Sequence, residues 1–526
     1  MAMNVLFLIC FILTFIFPCS SETITQGTLS WWCGQTPHHQ TCDYYLGRNF
    51  SATATITTRE FLEMTVQAAI NDAHVVRQQV HETESKYPNA PGKGLWSSCV
   101  DYFDGLAFTL NMIFDRTFNP TPLDIQTWIS AGIAYINVCE KGFELINMTN
   151  TILPVISNNL TELITNALAI SVLNRGSDTP GFVDLDYRNE YKLSNIKLES
   201  KQPNVVVAQD GSGDFRTVQD AINAASQRAQ PTMRFVIYVK AGIYTENVVI
   251  PNPVQYITMF GDGINKTIIT GSRHAGDDTL KTANAGDLKD TATFQVWGLG
   301  FIARDMTFRN TAGPIGAQAV ALLSGSDESV FYRCSFEGYQ DTLFAFSNRQ
   351  FYKECKIFGT VDFIFGDAAA VFQDCGIFFR RPLPGGGLVV TANSRKLHNE
   401  SSGFTMQGCK ITAGDDLKPV LGQYNKAFLG RPWGPYALTV YMQNYLDNLI
   451  DPQGWLDSWG NKEHCYYGEY QNYGPGSSTK NRVKWRSFHK ITTKKIAHYF
   501  TVGKLLGGNH WLPETGVPYI PGFENK

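Results

Sequence analysis

The segments Gly338-Tyr-Gln-Asp-Thr-Leu-Phe344 and Gly359-Thr-Val-Asp-Phe-Ile-Phe365 share the pattern G-x-x-D-x-x-F at an offset of 21 residues. Cys334 and Cys355 keep the same offset, since each lies seven residues before the aspartate of its segment. Repeats of roughly 20–50 residues are typical of solenoids, in which each structural unit stacks on the next. Because these segments are rich in β-branched and aromatic residues, they predict adjacent coils of a strand solenoid.

The repeat places Asp341 and Asp362 at equivalent positions of those coils. Neighbouring strands lie about 4.8 Å apart, so the two carboxyl groups are expected to be close. Like charges at that distance cannot both ionise freely, which raises the pKa of one carboxyl group while the other stays charged. Such a pair can act as an acid and a base or nucleophile. A repeated turn that contains aspartate explains the same pattern, and the repeat alone does not decide between the two.

Length and composition limit the class of protein. A chain of 526 residues is long enough for two or more domains. The formal net charge of −3 argues against a nucleic-acid partner or an anionic membrane surface. The 46 glycines and the charged fraction of 17% fit an extracellular β protein with many tight turns.

The N-terminus predicts secretion. Residues 6–17 form an apolar core that is too short to span a bilayer, which indicates a signal peptide over residues 1–21, with a signal anchor as the alternative. No later stretch predicts stable membrane insertion. Sequons for N-glycosylation fit a secretory route. They are Asn49, Asn147, Asn159, Asn265 and Asn399.

Hydrophobic periodicity divides the rest of the chain. Apolar residues at helical spacing in 58–70, 96–114, 121–143 and 152–173 predict an all-α four-helix bundle over residues 24–175, with Gly92 and Gly94 in a loop. Residues 176–203 are turn-rich and predict a linker. Residues 204–523 contain short β runs without crossover helices, which predicts an all-β parallel β-helix with one capping helix near 217–225.

Cysteines differ between the two parts. Cys33, Cys42, Cys99 and Cys139 lie in the first third, and in a secreted chain they predict two disulfides with three possible connectivities. The remaining cysteines partly follow the coil repeat and predict a buried, unbridged ladder. They are Cys334, Cys355, Cys375, Cys409 and Cys465.

Several segments, in this order, closely resemble the plant pectin methylesterases (pectinesterases) over about residues 205–523. They are Gly242-Ile-Tyr-Thr-Glu246, Gln318-Ala-Val-Ala-Leu322, Gly338-Tyr-Gln-Asp-Thr-Leu343, Gly359-Thr-Val-Asp-Phe-Ile-Phe-Gly366 and Leu429-Gly-Arg-Pro-Trp433. The resemblance implies a right-handed parallel β-helix and cofactor-free hydrolysis of the methyl esters of polygalacturonate. The expected substrate is therefore methyl-esterified homogalacturonan, and the expected location is the cell wall or apoplast.

The helical part resembles the invertase/pectin methylesterase inhibitor family. The match rests on its four cysteines and on Thr165-Asn-Ala-Leu-Ala169. It implies the pairs Cys33–Cys42 and Cys99–Cys139, an inhibitor-like pro-region as an intramolecular partner, and external pectinesterase inhibitor proteins as further partners. Family linkers often contain a dibasic-Leu-Leu cleavage site, whereas this linker offers only Tyr191-Lys-Leu-Ser194 and Lys197-Leu198. Processing is therefore left open.

Ester hydrolysis needs a nucleophile, donors for the oxyanion and an acid for the leaving alcohol. The chain has no G-x-S-x-G segment, and none of its 10 histidines lies in an H-E-x-x-H or H-x-H pattern. A carboxylate mechanism remains. By the family's motifs, Asp362 matches the nucleophile and Asp341 the proton donor and later base, while Gln318 and Gln340 match the residues that stabilise the transition state. The two glutamines also fit a structural amide ladder.

Gln318 also matches a substrate-binding position of the family, and so do two further residues, Arg431 and Trp433. Arg431 is the expected partner that lowers the pKa of Asp362, and Trp433 offers a flat face for a sugar ring, although core packing also explains it. Tyr339 and Phe365 flank the aspartates and line either the groove or the core. Leu288 stands where the family usually has a substrate-contacting threonine, so that contact is not carried over.

Two other classes remain as alternatives. One is another β-helix enzyme that acts on pectin, either a lyase, which needs Ca²⁺ and forms unsaturated products, or a polygalacturonase, which creates reducing ends. The other is an inhibitor-type binding protein whose second domain is cargo. The pectinesterase motifs argue against the first.

Overall fold

The protein is described by a computed structural model that covers most of two domains. The described residues are 26–47, 54–86, 93–117, 119–145, 149–152, 156, 158–173, 202–228, 233–275, 287–424, 426–457 and 462–523. The predicted signal peptide, the sequons at Asn49 and Asn147 and nearly all of the predicted linker lie outside these ranges. Within them, no helix has both the length and the hydrophobicity that crossing a membrane requires.

The N-terminal part is helical, as predicted. Two short strands, β1 (Gln26–Thr28) and β2 (Thr55–Thr57), pair antiparallel beside the helices. The helices are α1 (Leu29–Gly34), α2 (His39–Leu46), α3 (Thr58–Lys86), α4 (Lys93–Asn111), α5 (Pro122–Leu145), α6 (Thr149–Ile152) and α7 (Asn158–Ser171). The four longest, α3, α4, α5 and α7, pack against one another.

Two disulfides staple this helical domain. Cys33–Cys42 joins α1 to α2, and Cys99–Cys139 joins α4 to α5. These are the two pairs that the family resemblance implied.

Two details of the helical prediction are wrong. The helix expected over 152–173 is α7, which begins at Asn158, and Ile152 is the last residue of a separate short helix, α6. Pro154 lies between them in the sequence and has no N–H to donate to a continuing helix. Gly94 lies in the first turn of α4 instead of a loop, where a residue lacks an intrahelical partner for its N–H in any case.

The C-terminal part consists of three long parallel sheets. Sheet I contains β3 (Val205–Val207), β4 (Phe235–Val239), β7 (Ile257–Phe260), β10 (Ile302–Arg304), β13 (Ser329–Tyr332), β16 (Arg349–Lys353), β19 (Ala369–Gln373), β22 (Gly403–Gln407), β25 (Leu438–Met442), β27 (Tyr466–Tyr470) and β28 (Phe488–Lys490). Sheet II contains β5 (Gly242–Thr245), β8 (Thr267–Gly271), β11 (Thr307–Asn310), β14 (Ser335–Glu337), β17 (Lys356–Gly359), β20 (Gly376–Phe379), β23 (Lys410–Ala413) and β26 (Tyr445–Leu446). Sheet III contains β6 (Val248–Ile250), β9 (Phe294–Val296), β12 (Leu322–Ser324), β15 (Leu343–Ala345), β18 (Ile364–Gly366), β21 (Val389–Asn393) and β24 (Phe428–Pro432).

Successive strands visit the sheets in turn, so each circuit of the chain is one coil of a parallel β-helix. The repeat that predicted it is visible in the strand register, because Leu343 of β15 pairs with Ile364 of β18, 21 residues later. The predicted capping helix is α8 (Val218–Ser226), which packs against β3, β4 and β6 at the first coil. Its N-cap is Thr217, whose hydroxyl accepts a hydrogen bond from the Asp220 N–H.

The cysteine ladder is confirmed. Cys334, Cys355, Cys375 and Cys409 lie buried and unbridged in the core of successive coils. The Cys355 thiol donates to the Phe331 carbonyl of the preceding coil at 3.2 Å, so the thiols act as small core residues with a weak hydrogen bond. Cys465 is also buried and unbridged.

The C-terminal segment covers the outer face of sheet I. It contains α9 (Lys494–His498), α10 (Val502–Leu505) and α11 (Leu512–Thr515). Leu505 and Leu512 pack there with Phe351 and Val371. The predicted site residues lie elsewhere, on sheet III and in the turns next to its strands.

Candidate active site

Asp341 and Asp362 lie in the turns that lead from sheet II to sheet III on adjacent coils. The Asp341 N–H donates to the Val361 carbonyl of the next coil at 3.1 Å, which fixes the two turns in register. Both residues have left-handed backbone conformations, with φ of 58° and 50°, which aspartate tolerates better than most side chains. The two explanations of the sequence repeat, a repeated turn and a pair of adjacent carboxyl groups, are therefore both true of this structure.

Arg431 contacts one member of this pair. It lies on β24, two strands along sheet III from β18, and reaches back across β21. Its Nε donates to Asp362 Oδ1 at 2.9 Å, and its Nη2 donates to Asp362 Oδ2 at 2.6 Å. This two-point contact binds the ionised form of Asp362 specifically.

The pKa values of the two carboxyl groups separate them further. Burial raises the pKa of Asp341 well above its usual range, and the charge of Asp362 adds to that effect while Arg431 opposes it. Burial also raises the pKa of Asp362, against the opposing hydrogen bonds and charge of Arg431. Arg431 lowers the pKa of Asp362, as expected, but desolvation outweighs the ion pair and keeps that pKa above its usual value. Arg431 still favours ionisation at Asp362 first.

Gln318 and Gln340 lie beside the aspartates, on adjacent coils. Their backbones form a parallel bridge, and the Ala319 N–H donates to the Gln340 carbonyl at 3.2 Å. Both side chains are half-buried, and neither amide has a hydrogen-bond partner within the part of the chain that the structure describes. The amide N–H groups are thus available to a bound ligand, whereas an amide ladder would use them internally.

Aromatic side chains continue from this point along sheet III. Phe344 and Phe365 stack at 4.3 Å between ring centroids, and Trp433 meets Phe365 edge-on at 6.0 Å. Trp433 is 37% exposed, so part of its ring is open to a ligand. Phe365 is buried, and Tyr339 is half-buried beneath the guanidinium of Arg380.

The helical domain covers the outer face of sheet III. Phe344 and Phe365 point away from the β-helix core and share a buried cluster with α3, α4, α5 and α7. Tyr102 of α4 stacks on Phe346 at 5.9 Å, and Tyr135 of α5 stacks on Trp297 at 6.1 Å. Leu288 packs against the same cluster.

Polar contacts tie the domains together at the ends of the sheet III strands. The Trp128 indole N–H donates to Asp327 at 2.9 Å, and Arg349 forms an ion pair with Asp124 of α5 at 2.7 Å. Lys396 pairs with Glu140 of α5 at 2.8 Å. Sequence reasoning missed these residues, because they follow the motif segments and carry no pattern of their own.

The predicted N-glycosylation positions that the structure describes differ in their exposure to solvent. Asn159 and Asn265 are exposed, and Asn399 is half-buried beside α5, where its carbonyl accepts from Gln126 at 2.6 Å. Glycosylation of all predicted sequons stays a prediction.

Comparisons with known proteins identify two family matches. Residues 204–509 match the model of the family described as Pectinesterase, and residues 27–170 match that of the plant invertase/pectin methylesterase inhibitor family. "Pectinesterase 2" of Citrus sinensis is 44% identical over 496 residues, which cover 94% of each chain.

Solved structures resemble the second part of the chain. The pectin methylesterase from carrot is 46% identical, with a TM-score of 0.58, and the match covers 61% of this chain and 98% of that one. A pectin methylesterase in complex with a hexasaccharide is 27% identical, with a TM-score of 0.50, and the match covers 62% of this chain and all of that one, 100%.

Proposed function

Because this chain belongs to the pectinesterase family and carries an N-terminal domain of the plant invertase/pectin methylesterase inhibitor family, we propose that Asp362 and Asp341 perform its hydrolysis of pectin methyl esters. The chain is a pectinesterase, so its reaction yields pectate and methanol. The lyase, polygalacturonase and binding-protein alternatives are not favoured.

In the first step, the Asp362 carboxylate attacks the ester carbonyl carbon. The negative charge moves to the carbonyl oxygen, where the amide N–H groups of Gln318 and Gln340 stabilise it. The intermediate then expels the methoxy group, which takes the proton of Asp341 and leaves as methanol. The product of this step is an acyl-enzyme on Asp362.

In the second step, water replaces the alcohol. Asp341, now ionised, takes a proton from the water as it attacks the acyl carbon. The bond to Asp362 breaks, which releases the galacturonate carboxyl group and restores both aspartates to their starting states. The raised pKa of Asp341 suits it to hold a proton between cycles.

The observation that carries this assignment is the asymmetry of the pair. Arg431 binds both carboxylate oxygens of Asp362, while Asp341 is buried one coil away beside that charge. The test is Asp362→Asn, which should abolish methanol release from highly esterified pectin. Retention of full activity would exclude Asp362 as the nucleophile.

Asp374→Asn is the matched control. Asp374 occupies another turn of the β-helix with a similar φ of 56°, and its carboxylate pairs with Lys353. The control therefore makes the same substitution, in a similar backbone conformation, at a position outside the candidate active site. Its methanol release should stay near that of the wild type.

The helical domain is proposed to restrain the enzyme. Its support is the cover that α4 and α5 place over Phe344 and Phe365, where a pectin chain would need to lie. The boundaries of 24–175 for this domain and 204–523 for the catalytic domain stay predictions, as does cleavage in the linker. N-terminal sequencing of the secreted protein tests them.

Secretion to the cell wall or apoplast belongs to the same proposal, and so does binding of external pectinesterase inhibitor proteins. Both rest on the family and on the apolar N-terminus. Fractionation of the producing tissue, followed by extraction of the wall with salt, tests the location.

A further inference from the structure

Two adjacent arginines follow the catalytic turns on the next coil. The turn from sheet II to sheet III carries Asp341 on one coil and Asp362 on the next. On the third coil it starts with Arg380 and Arg381, directly after β20. The Arg380 N–H donates to the Gly359 carbonyl at 2.8 Å, and the Val389 N–H donates to the Thr360 carbonyl at 2.9 Å. This turn is therefore stacked on the one that holds Asp362.

The Arg380 side chain reaches back across the coil of Asp362. Its Nη1 donates to the Gly338 carbonyl at 3.1 Å, and its Nη2 donates to the Tyr339 hydroxyl at 2.8 Å. The guanidinium carbon lies 3.8 Å from the centre of the Tyr339 ring. Arg380 is thus held rigidly beside the residues that precede Gln340 and Asp341.

Neither arginine is saturated by these contacts. A guanidinium has five N–H donors. Within the described residues, Arg380 uses three of its donors, the third on a long contact of 3.4 Å from Nε to Asp416. Arg381 is exposed and uses only Nε, which donates to the Tyr424 hydroxyl at 3.2 Å.

The helical domain leaves Arg381 open. Its contacts lie at both ends of the sheet III strands, because Trp297 follows β9 whereas Lys289, which pairs with Asp101 of α4, precedes it. Within the described residues, the hydrogen bonds of the Arg380 and Arg381 side chains all go to the β-helix domain. With the helical domain docked, Arg381 is exposed and Arg380 is half-buried.

We propose that Arg380 and Arg381 form a subsite for a free galacturonate carboxylate next to the unit whose ester reacts. This inference rests on the proposed function and deepens it. Each turnover leaves a free carboxylate on the polymer. The negative charge of Asp362 repels this carboxylate, which therefore binds poorly at the two catalytic aspartates. Adjacent coils are about 4.8 Å apart, close to the length of one sugar unit, so a neighbouring carboxylate reaches the arginines. Guanidinium groups bind carboxylates in planar, charge-assisted contacts.

The site therefore distinguishes esterified from unesterified neighbours. A methyl ester offers only a weak neutral acceptor to the arginines, whereas a carboxylate offers two charged oxygens. Polymer that already carries free acid beside an ester should bind more tightly than fully esterified polymer.

The test measures methanol release from highly esterified pectin by the protein as secreted, with unesterified polygalacturonate added as inhibitor. Arg381→Gln should raise the inhibition constant of polygalacturonate about tenfold, the effect of losing one charge-assisted contact. Arg381→Lys keeps the charge and should retain most of the inhibition. Added salt should weaken inhibition of the wild type more than that of Arg381→Gln, because salt screens exposed charges.

Arg333→Gln is the matched control. Arg333 is also exposed and lies over a tyrosine, with 4.6 Å from its guanidinium carbon to the Tyr332 ring centre, but in a turn between sheet I and sheet II. It should leave the inhibition constant unchanged. The subsite would be overturned if the inhibition constant of polygalacturonate were equal for the wild type and Arg381→Gln. It would also be overturned if Arg333→Gln raised that constant as much as Arg381→Gln does.

The two proposals fail in distinguishable ways. Absence of methanol from the wild type before any inhibitor is added would contradict the proposed function itself. Calorimetry can measure how tightly polygalacturonate binds to the wild type and to Arg381→Gln. This measurement tests the subsite without catalysis. Tighter binding to the wild type supports it, and equal binding overturns it.

Discussion

Asp341 and Asp362 have nearly the same backbone conformation and different surroundings. Both occupy left-handed turns on adjacent coils, yet only Asp362 is bound by a guanidinium. Burial raises the pKa of both carboxyl groups, so their division of roles depends on Arg431 and on the order in which they ionise. The side chain of Arg431, two coils from Asp362, therefore gives Asp341 and Asp362 different chemical environments although their backbone conformations are nearly the same.

Arg431→Gln tests that dependence through pH. The nucleophile acts when ionised, and Arg431 opposes the rise in the pKa of Asp362 that burial causes. Without Arg431 that pKa rises further, so the acid limb of kcat/KM should move to higher pH, and the maximal rate should fall by about 10²–10³. The pH profile of methanol release measures both.

Arg431→Lys serves as the comparison. Lysine keeps the positive charge without the two-point contact, so its acid limb should lie between those of the wild type and Arg431→Gln. An acid limb at the same pH in all three proteins would rule out this role for Arg431.

At the scale of elements, close packing between β21 and β24 holds Arg431 in place. Gly430 lies opposite Thr391 in the strand register. A Cβ at Gly430 would lie 2.1 Å from Thr391 Oγ1, so no larger residue fits without moving β24. The position of the arginine therefore depends on its neighbour having no side chain.

Gly430→Ala should disturb both stability and catalysis. Overpacking of this kind lowers the free energy of unfolding by about 1–3 kcal/mol, and a displaced β24 carries Arg431 away from Asp362. Chemical denaturation and methanol release measure the two effects. Gly422→Ala, where a Cβ meets nothing within 4 Å, should change neither. Normal activity in Gly430→Ala would show that β24 tolerates the extra methyl group.

Much of this architecture is readable from the sequence, and the reasons are local. The 21-residue offset predicts the register of Leu343 with Ile364, because a solenoid repeats its contacts with each coil. The break between α6 and α7 could have been predicted from Pro154. The sign of the pKa change at Asp362 could not, because desolvation depends on how completely the surrounding coils enclose the carboxyl group.

At the scale of the whole molecule, Arg349 is a buried junction between the domains. It pairs with Asp327 of the β-helix at 2.6 Å and with Asp124 of α5 at 2.7 Å. The contacts that dock the helical domain could not be predicted from sequence, because they come from single residues in separate turns. Trp297, Phe346 and Arg349 fall outside the family motifs quoted above.

Asp124→Asn should loosen the docked helical domain. Arg349 keeps Asp327, so the β-helix stays intact while a contact worth about 1.5–3 kcal/mol is lost between the domains. The uncleaved variant should release methanol about tenfold faster than the uncleaved wild type. Rates measured before and after proteolysis of the linker give the comparison.

Glu63→Gln is the control for this prediction. Glu63 lies on α3 and pairs with Arg59 of the same helix, at the surface of the helical domain. It should leave the uncleaved rate unchanged. If the uncleaved Asp124→Asn protein is no faster than the wild type, Asp124 does not restrain the enzyme.

The reach of Arg431 across two coils also limits how this molecule can change in length during evolution. Solenoids gain or lose whole repeats readily, because each repeat contacts only its neighbours. A coil added before β12 or after β24 would lengthen the β-helix and leave the catalytic turns in register. A coil added or deleted between β18 and β24 would separate Asp362 from Arg431, so this stretch has a fixed number of coils.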